Sequence, residues 1–168
     1  MPRQLLRDGR VVADDWTYLA DVGDAADARV EAAAHGLILT FGQWLAGQAD
    51  WRAAAGRLGV ILSPTDRVEQ LAPDLARFDL VGAHFPGPSD GRGYTQGRLL
   101  RERFGFTGEL RATGYVRRDQ LFFLARCGFN SFELAPGEIQ AAGDAFATFS
   151  ARYQPSNDAG LRRELQHR

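Results

Sequence analysis

The sequence predicts an α/β fold, a mostly parallel sheet built from about five βα units and preceded by a small N-terminal β-hairpin. Three observations carry this. Short apolar or alternating runs recur at 37–40 (LILT), 59–63 (GVILS), 78–85 (FDLVGAHF), 109–113 (ELRAT) and 131–134 (SFEL), each of strand length. Each is followed by a stretch long enough for a helix, the alternation that builds parallel sheets. Near the start, Asp8-Gly9 separates Leu5-Leu6 from Val11-Val12, a two-residue hairpin signal. A closed eight-unit barrel takes about 250 residues, so a chain of 168 fits either an open three-layer sheet or an incomplete TIM-like barrel. The open sheet is the first expectation.

In chain order, residues 4–19 form the hairpin, with Asp14-Asp15-Trp16 as a helix start or loop anchor, and 21–34 form a short helix or surface connection. Helices are expected around Trp44 to Trp51, over 68–75, 94–104, 116–127 and 137–152. The polar tail is loose, with a frayed last helix. One domain follows: hairpin and cover over 1–36, βα core over 37–152 and tail over 153–168.

The composition narrows the chemistry. There are 20 Lys+Arg, all arginine, so a Schiff-base lysine, a lysine nucleophile and a P-loop lysine are excluded. A net charge of -1 argues against general nucleic-acid binding. A lone cysteine, Cys127, holds neither an iron–sulfur cluster nor an internal disulfide. The histidines lie at 35, 84 and 167, far apart for a metal set. Asp90-Gly91-Arg92-Gly93 supplies a GxG, but Gln96 stands where a dinucleotide fingerprint needs its third glycine. No cofactor is expected. With no membrane-length apolar run or leader pattern, a soluble cytoplasmic protein is expected.

Ligands of parallel α/β sheets bind in loops leaving the carboxyl ends of the strands. Three loops qualify here. The first carries His84, Gly91, Arg92 and Gly93, the second Tyr115, Arg117 and Arg118, and the third begins at Glu133. Arginine at a helix start opposes the helix dipole, a conflict that a bound oxyanion resolves. The competing reading is that Asp90, Asp119 and Glu133 already neutralise these arginines. Alternation places Arg111 on the same strand face as Glu109 and Thr113, and Glu133 on the face of Ser131, so Arg111 and Glu133 form either an interior ion pair or the floor and general base of an anion pocket. The candidate anion ligands are therefore Gly91, Arg92, Gly93, Arg111, Arg117 and Arg118, with His84 and Glu133 as candidate proton-handling groups. Phe122 and Phe123 beside Leu121 and Leu124 widen the apolar stripe of the fourth helix, through burial on two sides or through a partner surface.

The run HFP (84–86), DGRGY (90–94), RLLRER (98–103), GELRA (108–112), RDQL (118–121) and RCGF (126–129) resembles a bacterial family catalogued as domain of unknown function 934. Members are commonly labelled oxidoreductases of sulfite reduction, because they tend to be encoded beside sulfite reductase and the enzymes of sulfate assimilation. The resemblance implies an accessory or adaptor protein of assimilatory sulfite reduction, with an arginine-lined oxyanion site and sulfite reductase or its electron donor as partner. The alternative is an enzyme acting on a small oxyanion such as sulfite with an external electron donor. Two departures stand out. Gly87-Pro88-Ser89 replaces a usual aromatic, and Tyr115 stands where the family usually has Asp, so the role of that carboxylate has no bearer here.

Overall fold

A computed structural model describes residues 3–21, Ala28 and 34–149. Most of the expected connection over 21–34 and the whole tail from 153 lie outside the described residues. Eight strands form one sheet: β1 Gln4–Arg7, β2 Arg10–Ala13, β3 Thr17–Tyr18, β4 Leu37–Thr40, β5 Leu58–Leu62, β6 Leu80–Phe85, β7 Glu109–Gly114 and β8 Ser131–Phe132. Their order is β2-β1-β8-β7-β6-β5-β4-β3. From β3 to β8 every pairing is parallel, and the hairpin joins antiparallel to β8 through Leu6 opposite Phe132. The hairpin turn has positive φ at both Asp8 (50°) and Gly9 (76°), the backbone that tight antiparallel turns require.

Helices follow the core strands: α1 Phe41–Ala46, α2 Gln48–Ala53, α3 Val68–Leu71, α4 Arg92–Arg98, α5 Leu121–Arg126 and α6 Ile139–Phe149. The stretch expected as one helix over Trp44 to Trp51 is broken at Gly47. At its start Thr40 and Gln43 cap each other reciprocally, which fixes where β4 ends and α1 begins. The turn of α4 is widened over Leu99–Arg103, and α5 opens with a tight turn over Arg118–Gln120.

Strand alternation sorts the sheet into two unlike faces. Leu37, Leu39, Leu58, Val60, Val81, Ala83, Leu110, Ala112 and Phe132 pack with Trp44, Leu71, Leu100, Leu121, Leu124 and Ile139 of the helices. The opposite face holds Ile38, Leu80, Ile61, Trp16 and Tyr18, and among the described residues no helical one joins that cluster. The open three-layer sheet is thereby corrected, since it needs helices on both faces. The physical reason lies in the chain path. The outer strands β2 and β3 are consecutive in sequence, and from Ala13 to Thr17 the chain spans at most about 14 Å. Seven strand spacings in a flat sheet come to about 34 Å. The sheet therefore curls into a half-barrel, its concave face inward. Gly59 and Gly82 make room there, for a Cβ on Gly82 would collide with Ile61 and crowd the Arg111 backbone. Among the described residues, no helix is long and apolar enough to cross a membrane.

Candidate functional site

The inward-facing residues stack in rows. At the carboxyl ends of the strands, His84 lies opposite Thr113, with Ser63 one strand to one side and Glu133 one strand to the other. Beneath them, Ile61, Gly82, Arg111 and Ser131 form the next row. Between this top row and Tyr18 of β3 opens a cleft of about 640 Å³, lined by Tyr18, Ser63, Asp66, His84, Thr113 and Glu133 among others. It sits at the end of the barrel where parallel strands present their loops.

Arg111 forms the floor beneath this cleft and has no solvent exposure. Its Nε donates to Glu109 at 2.9 Å, its Nη2 to Glu109 at 2.7 Å and Asp14 at 3.1 Å, and its Nη1 to Asp14 at 3.1 Å and Glu133 at 3.3 Å. Arg3 pairs with Asp14 at 2.9 Å and Arg7 with Glu109 at 3.4 Å, so three guanidinium groups meet three carboxylates. Burial would pull the Arg111 guanidinium down, but Glu109 and Asp14 hold it above its ordinary range. Protein carboxylates take up the guanidinium, the interior ion pair with Glu133 included. Of those three carboxylates, Asp14 and Glu109 are buried, whereas Glu133 retains 22% of its side-chain exposure and reaches the cleft.

Tyr18 donates its hydroxyl to Glu133 Oε1 at 2.6 Å, a bond from one side of the curled sheet to the other. Burial, followed by the negative charge of Glu133, holds this phenol above the ordinary tyrosine range. An unfolded tyrosine ionises near pH ~10, while folded Tyr18 keeps its proton. The stability this contributes is full below that pH and is lost as pH rises above it. Tyr18→Phe is expected to flatten the alkaline fall in Tm and remove the most alkaline step from a tyrosinate absorbance titration. Identical titrations for the two proteins would mean that Tyr18 is solvated.

His84 Nδ1 lies 3.3 Å from Thr113 Oγ1. Gly114, at φ +83°, lets the chain turn beside the His84 ring, because a Cβ there would collide with it and with the Phe85 carbonyl. Asp66 accepts from the Ser63 N–H at 2.7 Å. Gln96, almost fully buried, donates to the Ser63 carbonyl at 2.8 Å and the Asp66 carbonyl at 2.9 Å, fixing that loop at the cleft wall.

The structure brings His84 and Glu133 to one cleft but disperses the arginines. Arg92 is clamped by Asp90 through Nε at 3.0 Å and through Nη2. Gly91 caps α4, and Gly93 packs beneath the Phe85 ring. Arg117 pairs with Glu138 at 3.0 Å. Arg117 and Arg118 line a separate pocket of about 430 Å³ with Gly137 and Glu138. Sequence reasoning missed Asp14, Tyr18, Asp66 and Gln96. Only Asp14 gave a signal, in the Asp-Asp-Trp run read as an anchor. Cys127 is buried away from the cleft, and burial pushes its thiol up.

A family model described as "Bacterial protein of unknown function (DUF934)" matches residues 59–161. The chain belongs to this family. The matched stretch of the DUF934 protein runs from β5 through α6, so Ser63, Asp66, His84, Thr113 and Glu133 fall within it, whereas Asp14 and Tyr18 precede it. No curated protein matches the chain.

Proposed function

We propose that this DUF934 protein binds a small polar molecule at the mouth of a half-barrel of five βα units and moves a proton on it, with Glu133 as the proton-accepting group. The observation that carries this reading is the placement of Glu133. It is the one carboxylate of the Arg111 network open to the cleft, and its Oε1 is held by Tyr18 and Arg111. Buried ion networks are weak devices for stability, so three arginines and three carboxylates beneath a ligand-sized cleft fit the orienting of Glu133. Its Oε2 has no bond among the described residues, and Glu133 lines the cleft. His84 stands two strand spacings away, roughly 10 Å, across room for a small molecule and oriented by Thr113. The test is chemical-shift mapping with small amines and carboxylic acids, followed by exchange of ligand C–H for solvent deuterium. Binding is expected to move the resonances of Ser63, His84, Thr113 and Gly114, and Glu133→Gln to slow exchange by about 10²- to 10⁴-fold at saturating ligand. Shifts confined to another surface would overturn the reading.

A second reading is the accessory role in sulfite reduction, with a cytoplasmic partner such as sulfite reductase or its electron donor. Two observations favour it. Arg118 has no ion pair among the described residues and lines the pocket beside Arg117, where an oxyanion fits. One turn on, Phe122 and Phe123 are exposed, Phe123 against the Tyr94 ring, an apolar surface suited to a protein partner. In this reading sulfite raises Tm and Arg118→Ala removes the rise.

A further inference from the structure

We infer that the half-barrel mouth takes a cationic ligand rich in hydrogen-bond donors, an organic amine or guanidinium, rather than an oxyanion. This rests on the mouth being the ligand site and adds the ligand's class. The first observation is charge. Among the described residues, no arginine lines the cleft, whereas Asp66 and Glu133 both do. Arg111 is sealed in the floor with its donors directed at Asp14, Glu109 and Glu133, and Arg3, which lies over the Tyr18 ring at 4.8 Å, is paired with Asp14. Arg92 and Arg117 are committed to Asp90 and Glu138. Arg3, Arg7 and Arg111 balance Asp14, Glu109 and Glu133 one for one, so Asp66 leaves the mouth with a negative charge that no described cation offsets.

The second observation is the hydrogen-bond inventory, which is independent of net charge. The Tyr18 hydroxyl proton is directed at Glu133. The Ser63 hydroxyl is paired with Thr65, and Thr113 with His84. Thr40 Oγ1 accepts from the Gln43 N–H. Among the described residues, the charged wall atoms left without a partner are both acceptors, Glu133 Oε2 and Asp66 Oδ1, while the donors that remain, the Thr40 hydroxyl proton and one proton each of the Ser63–Thr65 and His84–Thr113 pairs, are neutral. A carboxylate oxygen is acceptor-only, so the ligand has to donate. A sulfite or sulfate, itself acceptor-only, would set like charge against like at both carboxylates. The two carboxylates sit on separate walls, β8 and the loop after β5, which suits a ligand with N–H groups at both ends.

The full-length protein is tested with putrescine, agmatine and methylammonium, and with sodium sulfate, sulfite and phosphate at matched ionic strength. The readouts are Tm and amide chemical shifts. An amine is expected to raise Tm by about 5–10 °C at a hundredfold excess over its Kd and to move Ser63, Asp66, His84 and Thr113. Asp66→Asn keeps an acceptor for the Ser63 N–H and removes the charge, so it should fold normally and lose most of the effect. Glu133→Gln should weaken it as well. If the oxyanions move the mouth resonances and the amines do not, the ligand class is wrong and the site stands. If no probe of either sign moves them, the site reading falls with it.

Discussion

Arg111→Met is expected to destabilise the protein by about 3–5 kcal/mol, because it leaves carboxylates buried without their cation. At about 2–4 °C per kcal/mol for a chain of this size, Tm should fall by roughly 6–20 °C. Asp14 and Glu109 have side-chain exposures of 1% and 9%, so water cannot take over the role of the guanidinium. Arg3 and Arg7 approach them from outside and are themselves partly solvated, which softens the loss without cancelling it. The decisive comparison adds Asp14→Asn and Glu109→Gln to Arg111→Met. If the harm comes from stranded charge, the triple variant is more stable than the single one, against the usual expectation that three substitutions cost more than one. Thermal unfolding of the three proteins, parent, single and triple variant, settles this. A single variant within about 0.5 kcal/mol of the parent, the size of an ordinary surface change, would show that the network is hydrated.

Gly114→Ala is expected to cost about 2–5 kcal/mol, combining a left-handed backbone penalty of about 1–2 kcal/mol with overpacking of about 1–3 kcal/mol. Gly114 closes β7 at φ +83°, and an added methyl collides with the Phe85 carbonyl and the His84 ring. Relief comes only by pushing β6 and β7 apart or rotating His84 away from Thr113. The variant should therefore lose stability and also displace the His84 resonances at the mouth. Gly87→Ala is the matched control in the preceding loop, where an added Cβ meets nothing within 4 Å. Denaturant melts should place Gly87→Ala within about 0.5 kcal/mol of the parent, and equal losses in both variants would remove the steric argument.

The pair Arg111 and Glu133 was readable because strand periodicity is a local rule. Alternation in ELRAT and SFEL puts each charge on a known face, and neighbouring parallel strands then bring them together. The hairpin was readable for the same reason, Asp8-Gly9 being one of the few dipeptides that accept its turn. The curl was not readable. It depends on β3, a strand of two residues, too short to carry a period. Without β3, nothing in the sequence says that Tyr18 crosses to Glu133. The arginines were harder for another reason. Loop positions after adjacent strands place Arg92, Arg117 and Arg118 near one edge, but long side chains choose among nearby carboxylates. Asp90 and Glu138 lie within reach of two of them.

That the outer strands are β2 and β3 bears on how the chain reaches this shape. Both borders of the sheet lie between residues 10 and 18, ahead of the core strands, yet β1 has its partner Phe132 far along the chain, 126 positions after Leu6 by subtraction of their numbers. The hairpin segment must wait, with the second edge of β1 unpaired, until nearly the whole core has emerged. Once the core is in place, the segment docks against β8 on one side and β4 on the other, like a buckle fastened after the belt is round. Such late, long-range pairing slows folding and leaves strand edges open to other chains in the interval. The charges on that segment, Arg3, Arg7, Asp14 and Asp15, help keep those waiting edges from sticking to one another.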